Sequence, residues 1–303
     1  MGVLGIIISF IVAPVAVLFD LWLLGASAGA TIQERKIWQN KKLPSINPFG
    51  LIKVFLLNVC WMGGTQLGVI LGLLKRALMG KKNMNMRDFC HNGVERMVGQ
   101  LLIRLFVGPE VIIRGKENLP PENPGSPAPV MIANHDSQLD IAAVYYLCRS
   151  WRWIAKSSVF FLPGVGQLMY FGGHVFIDRV KKKNKSSTGA RNLYIKSNES
   201  LQEGVPMFFF PQGTRRLGER LPFKDGAFKI AMENKSQIVP ISIEIPLTAW
   251  NSMYPLQGGK DVAPIILTIH KPVDSKDFKE LEPLKNQCFD TIYSVLPDYT
   301  KEN

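Results

Sequence analysis

Two long apolar segments near the N-terminus constrain the fold of this chain more than any other feature of its sequence. Val3–Ala30 contains a single charged residue, Asp20, and Val54–Leu74 contains none. Each segment is as long as the roughly 20 apolar residues that cross a bilayer core as a helix. We therefore predict a helical, membrane-embedded region over residues 1–85.

The arrangement of the second segment is left open by the sequence. Basic residues lie on both sides of it, so the distribution of positive charge does not fix its orientation. Polar and glycine residues interrupt it at Asn58, Gly63, Gly64 and Gln66. A full span, a path that enters one leaflet and returns, and a buried helix of a globular domain all remain alternatives.

The rest of the chain alternates between helical and strand-like patterns. Met86–Phe106 has apolar residues at steps of three and four, which is typical of an amphipathic helix. Short apolar runs that are typical of strands follow at Val111–Arg114, Val130–Ala133, Trp151–Ala155, His174–Ile177, Met207–Phe210, Gln237–Glu244 and Ile265–His270. Helical patterns follow at Gln138–Cys148, Thr188–Gln202, Gly226–Asn234 and Phe278–Leu296. This alternation predicts an α/β domain over residues 86–303, with a mostly parallel sheet flanked by helices.

The charge of the chain indicates an anionic partner. Lys and Arg number 36 against 24 Asp and Glu, a net charge of +12. Nucleic acid, anionic lipid and a phosphorylated substrate all fit this charge. No zinc-finger spacing or nucleic-acid-binding aromatic motif is present, and the apolar segments favour lipid. We therefore expect membrane lipids as partners and no nucleic acid.

One short motif carries residues typical of acid–base chemistry. Asn134–Asp140 follows an apolar run and precedes a helical pattern, which places His135 at the carboxyl end of a strand. If the turn folds back, Asp140 can hydrogen-bond the imidazole and fix its tautomer. His135 would then be a general base for a hydroxyl. The alternative is a capping aspartate beside a surface histidine.

Three other strand ends carry cations or a glycine turn. Lys156 and Arg179 each follow a predicted strand, and Gly213-Thr214-Arg215 follows another. Backbone amides of a glycine turn and the forked donors of arginine both suit phosphate. The alternative for each is a solvated surface cation. Together with His135 they predict a basic pocket for a substrate that carries a phosphate and a hydroxyl.

Taken in order, these motifs resemble those of the glycerolipid acyltransferase family, specifically the 1-acyl-glycerol-3-phosphate acyltransferases. The matching blocks are NHxSxxD at Asn134–Asp140, GxxFIDR at Gly173–Arg179, a block similar to FPEGTRS at Phe210–Arg216, an FKxGA-like block at Pro222–Phe228, and Val239-Pro240-Ile241. The resemblance covers about residues 87–245. It implies the glycerolipid acyltransferase fold, and the region before residue 86 is similar to the family's two-helix membrane motif.

The resemblance implies a reaction and a role for each matching residue. His135 deprotonates the hydroxyl of a lysophospholipid, which attacks the thioester of acyl-CoA or of an acyl-carrier protein, and Asp140 orients His135. The residues implied in phosphate binding are Lys156, Arg179, Gly213, Thr214 and Arg215, and those implied in shaping the pocket are Asn134, Ser137 and Gln212. The resemblance implies no metal and no cofactor. It implies a membrane protein, integral or monotopic, with its catalytic domain on the cytoplasmic side.

Two positions depart from the family pattern. Gln212 stands where the family has glutamate, and Arg216 stands where it has serine. These changes leave open an acceptor other than 1-acylglycerol 3-phosphate, or a lipid-binding pseudoenzyme of the same fold. A metal-dependent hydrolase is a third alternative, but the four histidines do not cluster by their spacing in the sequence.

Overall fold

The computed structural model describes residues 48–80, 84–108, 110–177, 187–215, 218–246 and 263–297. The first apolar segment, Val3–Ala30, lies outside these residues. The second lies within a helix, α1 (Pro48–Met79), whose stretch Leu56–Met79 is long and apolar enough to cross a membrane, with a mean hydropathy of 1.4. The division of the chain at residue 85 stays a prediction.

A twisted sheet forms the centre of the described chain. Its strands are β1 (Val111–Arg114), β2 (Val130–Ala133), β3 (Arg152–Lys156), β4 (Val175–Ile177), β5 (Met207–Phe209), β6 (Gln237–Glu244), β7 (Ile265–Ile269) and β8 (Val273–Asp274). The strand order is β1-β7-β6-β2-β5-β3-β4, and β8 pairs with β6. β7 and β8 run antiparallel to β6, and the other pairings are parallel. The predicted mostly parallel sheet is therefore confirmed.

Helices cover both faces of this sheet. The second helix, α2, runs through four consecutive stretches, in which α-helical Met86–Asp88 and Arg96–Leu102 alternate with π-helical Phe89–Glu95 and Ile103–Val107. The later helices are α3 (Leu139–Val144), α4 (Val165–Phe171), α5 (Ser187–Gln202), α6 (Gly226–Asn234) and α7 (Leu281–Tyr293). Short 3₁₀ turns lie at Lys116–Asn118, Tyr145–Leu147, Ser157–Phe161 and Ser275–Asp277.

Two apolar cores result, one on each face of the sheet. Residues of β2 alternate between them: Met131 and Ala133 belong to the core under α1 to α4, whereas Val130 and Ile132 belong to the core under α5 to α7. All four are fully buried. A strand buried on both faces is expected to be uniformly apolar, which explains why these strands read as continuous apolar runs in the sequence.

Glycines account for the close packing of α1 on α2. A side chain at Gly68 would collide with Val94, and one at Gly72 would lie 2.7 Å from the Phe89 ring. These glycines share one face of α1 at a four-residue step, so they let the two helices approach closely. Of the glycines that interrupt the apolar segment in the sequence, Gly64 also faces α2, since a side chain there would lie 3.2 Å from Val98, whereas one at Gly63 would meet no neighbour.

The element boundaries differ from the predicted ones by a few residues. Two elements, the strand β8 and the helix α4, were not predicted, nor was the antiparallel pairing of β7 with β6. α4 is short and begins at Val165, one residue after Gly164, whose φ is +73°. A positive φ is unfavourable for most residues, so this turn depends on glycine.

Candidate active site

A histidine–aspartate pair lies at the carboxyl end of the central strand β2. The strand ends at Ala133, and His135 lies two residues beyond it, before α3. Nδ1 of His135 is 2.8 Å from Oδ2 of Asp140, which lies in the first turn of α3. The His135 side chain is 12% exposed, whereas that of Asp140 is fully buried. The structure therefore brings together the two residues that the motif suggested as a pair.

The loop between these residues holds the Asp140 carboxylate in place. Its Oδ2 accepts the backbone N–H groups of Asp136 at 2.7 Å and Ser137 at 2.8 Å. The Ser137 hydroxyl donates to Oδ1 at 3.3 Å. With these donors, the carboxylate acts as an acceptor for the imidazole, so the ring proton of His135 lies on Nδ1. The other ring nitrogen, Nε2, then carries the free lone pair that a base requires.

Phe210 covers one face of the His135 ring. The two ring centroids are 3.9 Å apart and the planes differ by 12°. Trp153 lies nearly parallel to Phe210, at 5.6 Å and 14°. Among the residues that the structure describes, none forms a hydrogen bond with Nε2 of His135, so this nitrogen is available to a substrate hydroxyl.

Two buried amide side chains fix the loop that carries His135. Asn134 bonds the backbone of Ile243 in β6 in both directions, accepting its N–H at 2.7 Å and donating to its carbonyl at 2.8 Å. Gln212 accepts the backbone N–H of His135 at 2.6 Å and donates to the Glu219 carbonyl at 3.0 Å. The reversed amide would set donor against donor and acceptor against acceptor, so the orientation of Gln212 is determined.

The position of Gln212 changes how its departure from the family pattern is interpreted. Its side chain is 2% exposed and both of its polar atoms are used within the protein. A glutamate here would place a carboxylate oxygen against the carbonyl of Glu219. The resemblance implied that Gln212 shapes the pocket, and the structure shows a side chain that supports the backbone of His135.

Cationic side chains lie at the same edge of the sheet. Lys156 ends β3, and Arg215 follows the turn after β5; both are exposed. Gly213 has a φ of +70°, and a side chain at this position would collide with Nζ of Lys224. The glycine therefore allows the Lys224 amine to approach the turn closely. Thr214, next in the chain, is exposed.

The negative charge of Asp140 affects the pKa of Arg215. Desolvation by neighbouring atoms lowers the pKa of the Arg215 guanidinium, and the Asp140 carboxylate opposes this shift. The group stays a cation at neutral pH because an arginine titrates far above it. Arg179, which was predicted to bind phosphate, and Arg216 both lie outside the described residues.

A second histidine–carboxylate cluster is buried in the protein, and hydrogen bonds connect it to Trp153. Nδ1 of His91 is 2.8 Å and Nε2 of His174 is 3.0 Å from Oε2 of Glu95. The Tyr145 hydroxyl donates to the same oxygen at 2.7 Å and accepts Nε1–H of Trp153 at 2.9 Å. Two of the four histidines, His91 and His174, therefore lie close together in space, although their spacing in the sequence gave no sign of it.

The hydrogen bonds of this cluster do not suit a metal. Nε2 of His91 accepts the backbone N–H of Trp151 at 3.1 Å, and Nδ1 of His174 accepts that of Trp153 at 2.9 Å. Each ring therefore carries its proton on the nitrogen that faces Glu95. A metal at that nitrogen would move the proton to the nitrogen that faces a backbone N–H, and two donors would meet. Metal-bound histidines instead donate their second N–H to an acceptor.

Sequence reasoning missed three parts of this region. It did not find the stacking of Phe210 on His135, the approach of Lys224 to Gly213, or the buried cluster around Glu95. A weak signal was present for the cluster, because His91 and Glu95 stand four residues apart in a helical pattern. The contact of Glu95 with His174, 79 residues further on, has no such signal.

Comparison with known proteins shows what the central part of the chain is similar to. A family model described as Acyltransferase matches residues 110–244. A 1-acyl-sn-glycerol-3-phosphate acyltransferase of Chlamydomonas reinhardtii is 35% identical over 193 residues, which is 62% of this chain and 53% of that protein. One from Saccharomyces cerevisiae is 29% identical over 205 residues, which is 64% of this chain and 63% of that protein. The chain thus spans about half to two thirds of the length of these relatives.

A solved structure shares the fold. The crystal structure of the 1-acyl-sn-glycerophosphate (LPA) acyltransferase PlsC from Thermotoga maritima superposes with a TM-score of 0.60 at 24% identity, over 81% of this chain and 92% of that one. The resemblance that the sequence blocks suggested is confirmed by these matches. Residues 110–244, which the Acyltransferase family model matches, contain the His135–Asp140 pair.

Proposed function

We propose that this protein transfers a fatty acyl group from a thioester to the free hydroxyl of a lysophospholipid, with 1-acylglycerol 3-phosphate as acceptor and phosphatidic acid as product. The observation that carries the proposal is the His135–Asp140 pair, whose Nδ1–H is engaged and whose Nε2 is available. The similarity to 1-acyl-sn-glycerol-3-phosphate acyltransferases supports the choice of acceptor.

The geometry supports direct transfer with His135 as general base. Nε2 of His135 takes the proton of the acceptor hydroxyl as its oxygen attacks the thioester carbonyl carbon. The Asp140 carboxylate stabilises the imidazolium that forms. When the tetrahedral intermediate collapses, the C–S bond breaks and the imidazolium returns the proton to the leaving thiolate. The products are the ester and a free thiol, and His135 is again neutral.

The described cysteines do not favour a covalent acyl-enzyme. Cys90 and Cys288 are buried, and burial raises the pKa of each thiol to about 12. A thiol with such a pKa is almost entirely protonated at neutral pH and is a poor nucleophile. Cys60 and Cys148 are exposed, on α1 and after α3, and no described hydrogen bond joins either thiol to His135.

The cations near the turn after β5 are proposed to bind the phosphate of the acceptor. Arg215 and Lys224 lie beside the Gly213 turn, and Lys156 ends the next strand. Arg179 is proposed as a further ligand from its place in the sequence block. An arginine fork and ammonium groups complement a phosphate dianion, and they keep it at a fixed distance from the base.

The donor is proposed to be acyl-CoA or an acylated carrier protein. Both are anionic, and a net charge of +12 attracts either of them. The reaction as written balances without a metal or an organic cofactor.

Membrane association is proposed to bring the enzyme to its lipid substrates. α1 exposes large apolar side chains, among them Leu67, Leu71 and Leu78, and α2 exposes Met97, Leu101 and Leu105 at a four-residue step. Transfer of a lipid chain into water costs about 0.8 kcal/mol per CH₂, so an enzyme in the bilayer avoids this cost. We propose that the catalytic domain faces the cytoplasm, where acyl-CoA and acyl-carrier protein are found.

A product assay tests this proposal. Purified full-length protein in detergent micelles is given labelled oleoyl-CoA and a panel of lysophospholipids, and thiol release and labelled lipid are measured together. Phosphatidic acid is expected from 1-acylglycerol 3-phosphate, and none is expected with His135→Ala. Product from a different lysophospholipid would overturn the acceptor. Silence with both CoA and carrier-protein donors would overturn the enzymatic function and favour a lipid-binding role.

A further inference from the structure

We propose that Phe210 is a positioning residue for His135 that stabilises its protonated ring. The effect of Phe210 on catalysis rests on the proposed function. The stabilisation of the ring rests on the contact itself, because the two rings lie face to face, 3.9 Å apart and within 12° of parallel.

The chemistry of stacked rings explains why this contact favours the imidazolium. Two neutral aromatic rings prefer an offset or edge-to-face arrangement, because face-to-face packing sets their negative faces against each other. A cation over the face of a ring is attracted by the same negative charge. A nearly parallel ring at 3.9 Å is therefore a better partner for protonated than for neutral His135.

The protonated ring is present only after His135 has taken the hydroxyl proton. An interaction that strengthens at that point lowers the barrier instead of merely tightening substrate binding. The Asp140 carboxylate acts on the edge of the ring, through Nδ1, and Phe210 acts on its face. The two groups thus stabilise the same charge from different directions and leave Nε2 available.

The surroundings keep Phe210 in this position. Trp153 packs nearly parallel to it at 5.6 Å. The Trp153 indole donates to Tyr145, which donates to the buried Glu95 carboxylate. Phe208, two residues earlier, contacts Phe210 at 5.5 Å with planes 55° apart. The cluster around Glu95 therefore orients Trp153, which fixes the ring that stacks on the base.

The experiment compares Phe210→Leu with a matched variant, Phe228→Leu, in the full-length protein. Phe228 is a fully buried ring of α6 that packs against Phe223 on the other face of the sheet, and no described ring contact joins it to Phe210 or His135. Phe210→Met is a second variant that removes the ring and retains a bulky apolar side chain. Phe210→Trp restores an aromatic face and is the rescue variant.

The first readout is the NMR titration of the imidazoles, which does not require activity. The His135 signal is assigned by its loss in His135→Gln. A cation–π contribution corresponds to a roughly 2- to 30-fold change in the protonation equilibrium, so loss of the ring lowers the titration midpoint by about 0.4 to 1.5 pH units. Phe228→Leu leaves the midpoint unchanged, and Phe210→Trp restores it.

The second readout is the rate of acyl transfer against pH. In Phe210→Leu and Phe210→Met the acid limb of kcat/KM moves to lower pH, and kcat falls roughly 2- to 30-fold. An unchanged His135 midpoint in both folded variants, or the same change in Phe228→Leu, would overturn the inference. If wild type transfers no acyl group, the proposed function fails, and the NMR titration still decides whether Phe210 stabilises the charged ring.

Discussion

Two histidine–carboxylate clusters in this molecule share one contact and differ in everything around it. In each, Nδ1 of a histidine lies 2.8 Å from a carboxylate oxygen, for His135 with Asp140 and for His91 with Glu95. The second nitrogen of His135 has no hydrogen-bond partner among the described residues, and its side chain is 12% exposed. The second nitrogen of His91 accepts a backbone N–H, and its side chain is 3% exposed.

The difference shows what turns such a pair into a base. A carboxylate at Nδ1 fixes a tautomer in both clusters, so this contact does not distinguish a catalytic pair from a structural one. The distinguishing feature is a second nitrogen that is free and reachable. In the cluster around Glu95 every histidine nitrogen bonds Glu95 or the backbone N–H of Trp151 or Trp153, so we interpret it as a brace between α2 and the sheet.

Substitution of the two carboxylates, Asp140 and Glu95, is expected to give the largest difference in turnover between the two clusters. In Asp140→Asn, the amide oxygen takes the place of Oδ2, which accepts from Asp136, Ser137 and Nδ1 of His135, and the NH₂ faces the Ser137 hydroxyl. The tautomer of His135 is therefore kept, but the negative charge that stabilises its imidazolium is lost. We expect kcat to fall about 10²- to 10⁴-fold with little change in thermal unfolding.

The matched change in the other cluster is Glu95→Gln. It removes the charge that accepts the His91, His174 and Tyr145 donors. We expect the free energy of unfolding to fall by roughly 3–5 kcal/mol, as when a buried polar pair is broken. Turnover per folded molecule should stay far above that of Asp140→Asn. Equal loss of turnover in the two variants would contradict the assignment of separate roles.

Gln212→Glu is expected to have an intermediate effect. The carboxylate can still accept the His135 N–H, but its second oxygen must face the Glu219 carbonyl, which costs roughly 1–3 kcal/mol of stability. We expect an active enzyme with a lower midpoint of urea unfolding. Gln287→Glu, the same change at an exposed position of α7, is the control. Equal stability of both variants would mean that Gln212 does not support the backbone of His135.

The pH dependence of stability gives the smallest expected effect. Burial lowers the pKa of His91 from its ordinary value of 6.5. Burial opposes ionisation of Glu95, but interactions with His174 and His91 outweigh it and hold the pKa of Glu95 well below its usual range. For both groups the unfolded chain binds more protons than the folded one, so stability falls as the pH is lowered.

These shifts define the pH range to be measured. The His91 contribution is present above pH 6.5 and is lost below it, at up to about 1.4 kcal/mol per pH unit, while that of Glu95 is lost only at more acidic pH. Denaturant unfolding between about pH 7.5 and 5.5 should show this slope in wild type and a shallower one in His91→Gln. Identical slopes would mean that His91 is not a buried neutral ring.

The fold and the His135–Asp140 pair were accessible from the sequence because both depend on local patterns. Strands buried on both faces are continuous apolar runs, and the pair lies within one seven-residue motif. The stacking of Phe210 was not accessible, because it depends on the register of β5 against β2, in which Phe209 lies opposite Ile132. The brace was hidden for a similar reason, since it joins Glu95 to a histidine 79 residues away.

The most direct test of this account replaces the two histidines by the same residue. His135→Gln and His91→Gln are purified in the same detergent, and both kcat/KM for acyl transfer to 1-acylglycerol 3-phosphate and the free energy of unfolding are measured. We predict a loss of turnover with unchanged stability for His135→Gln, and lower stability with turnover retained per folded molecule for His91→Gln. Turnover that survives in His135→Gln would contradict the central claim that His135 is the base.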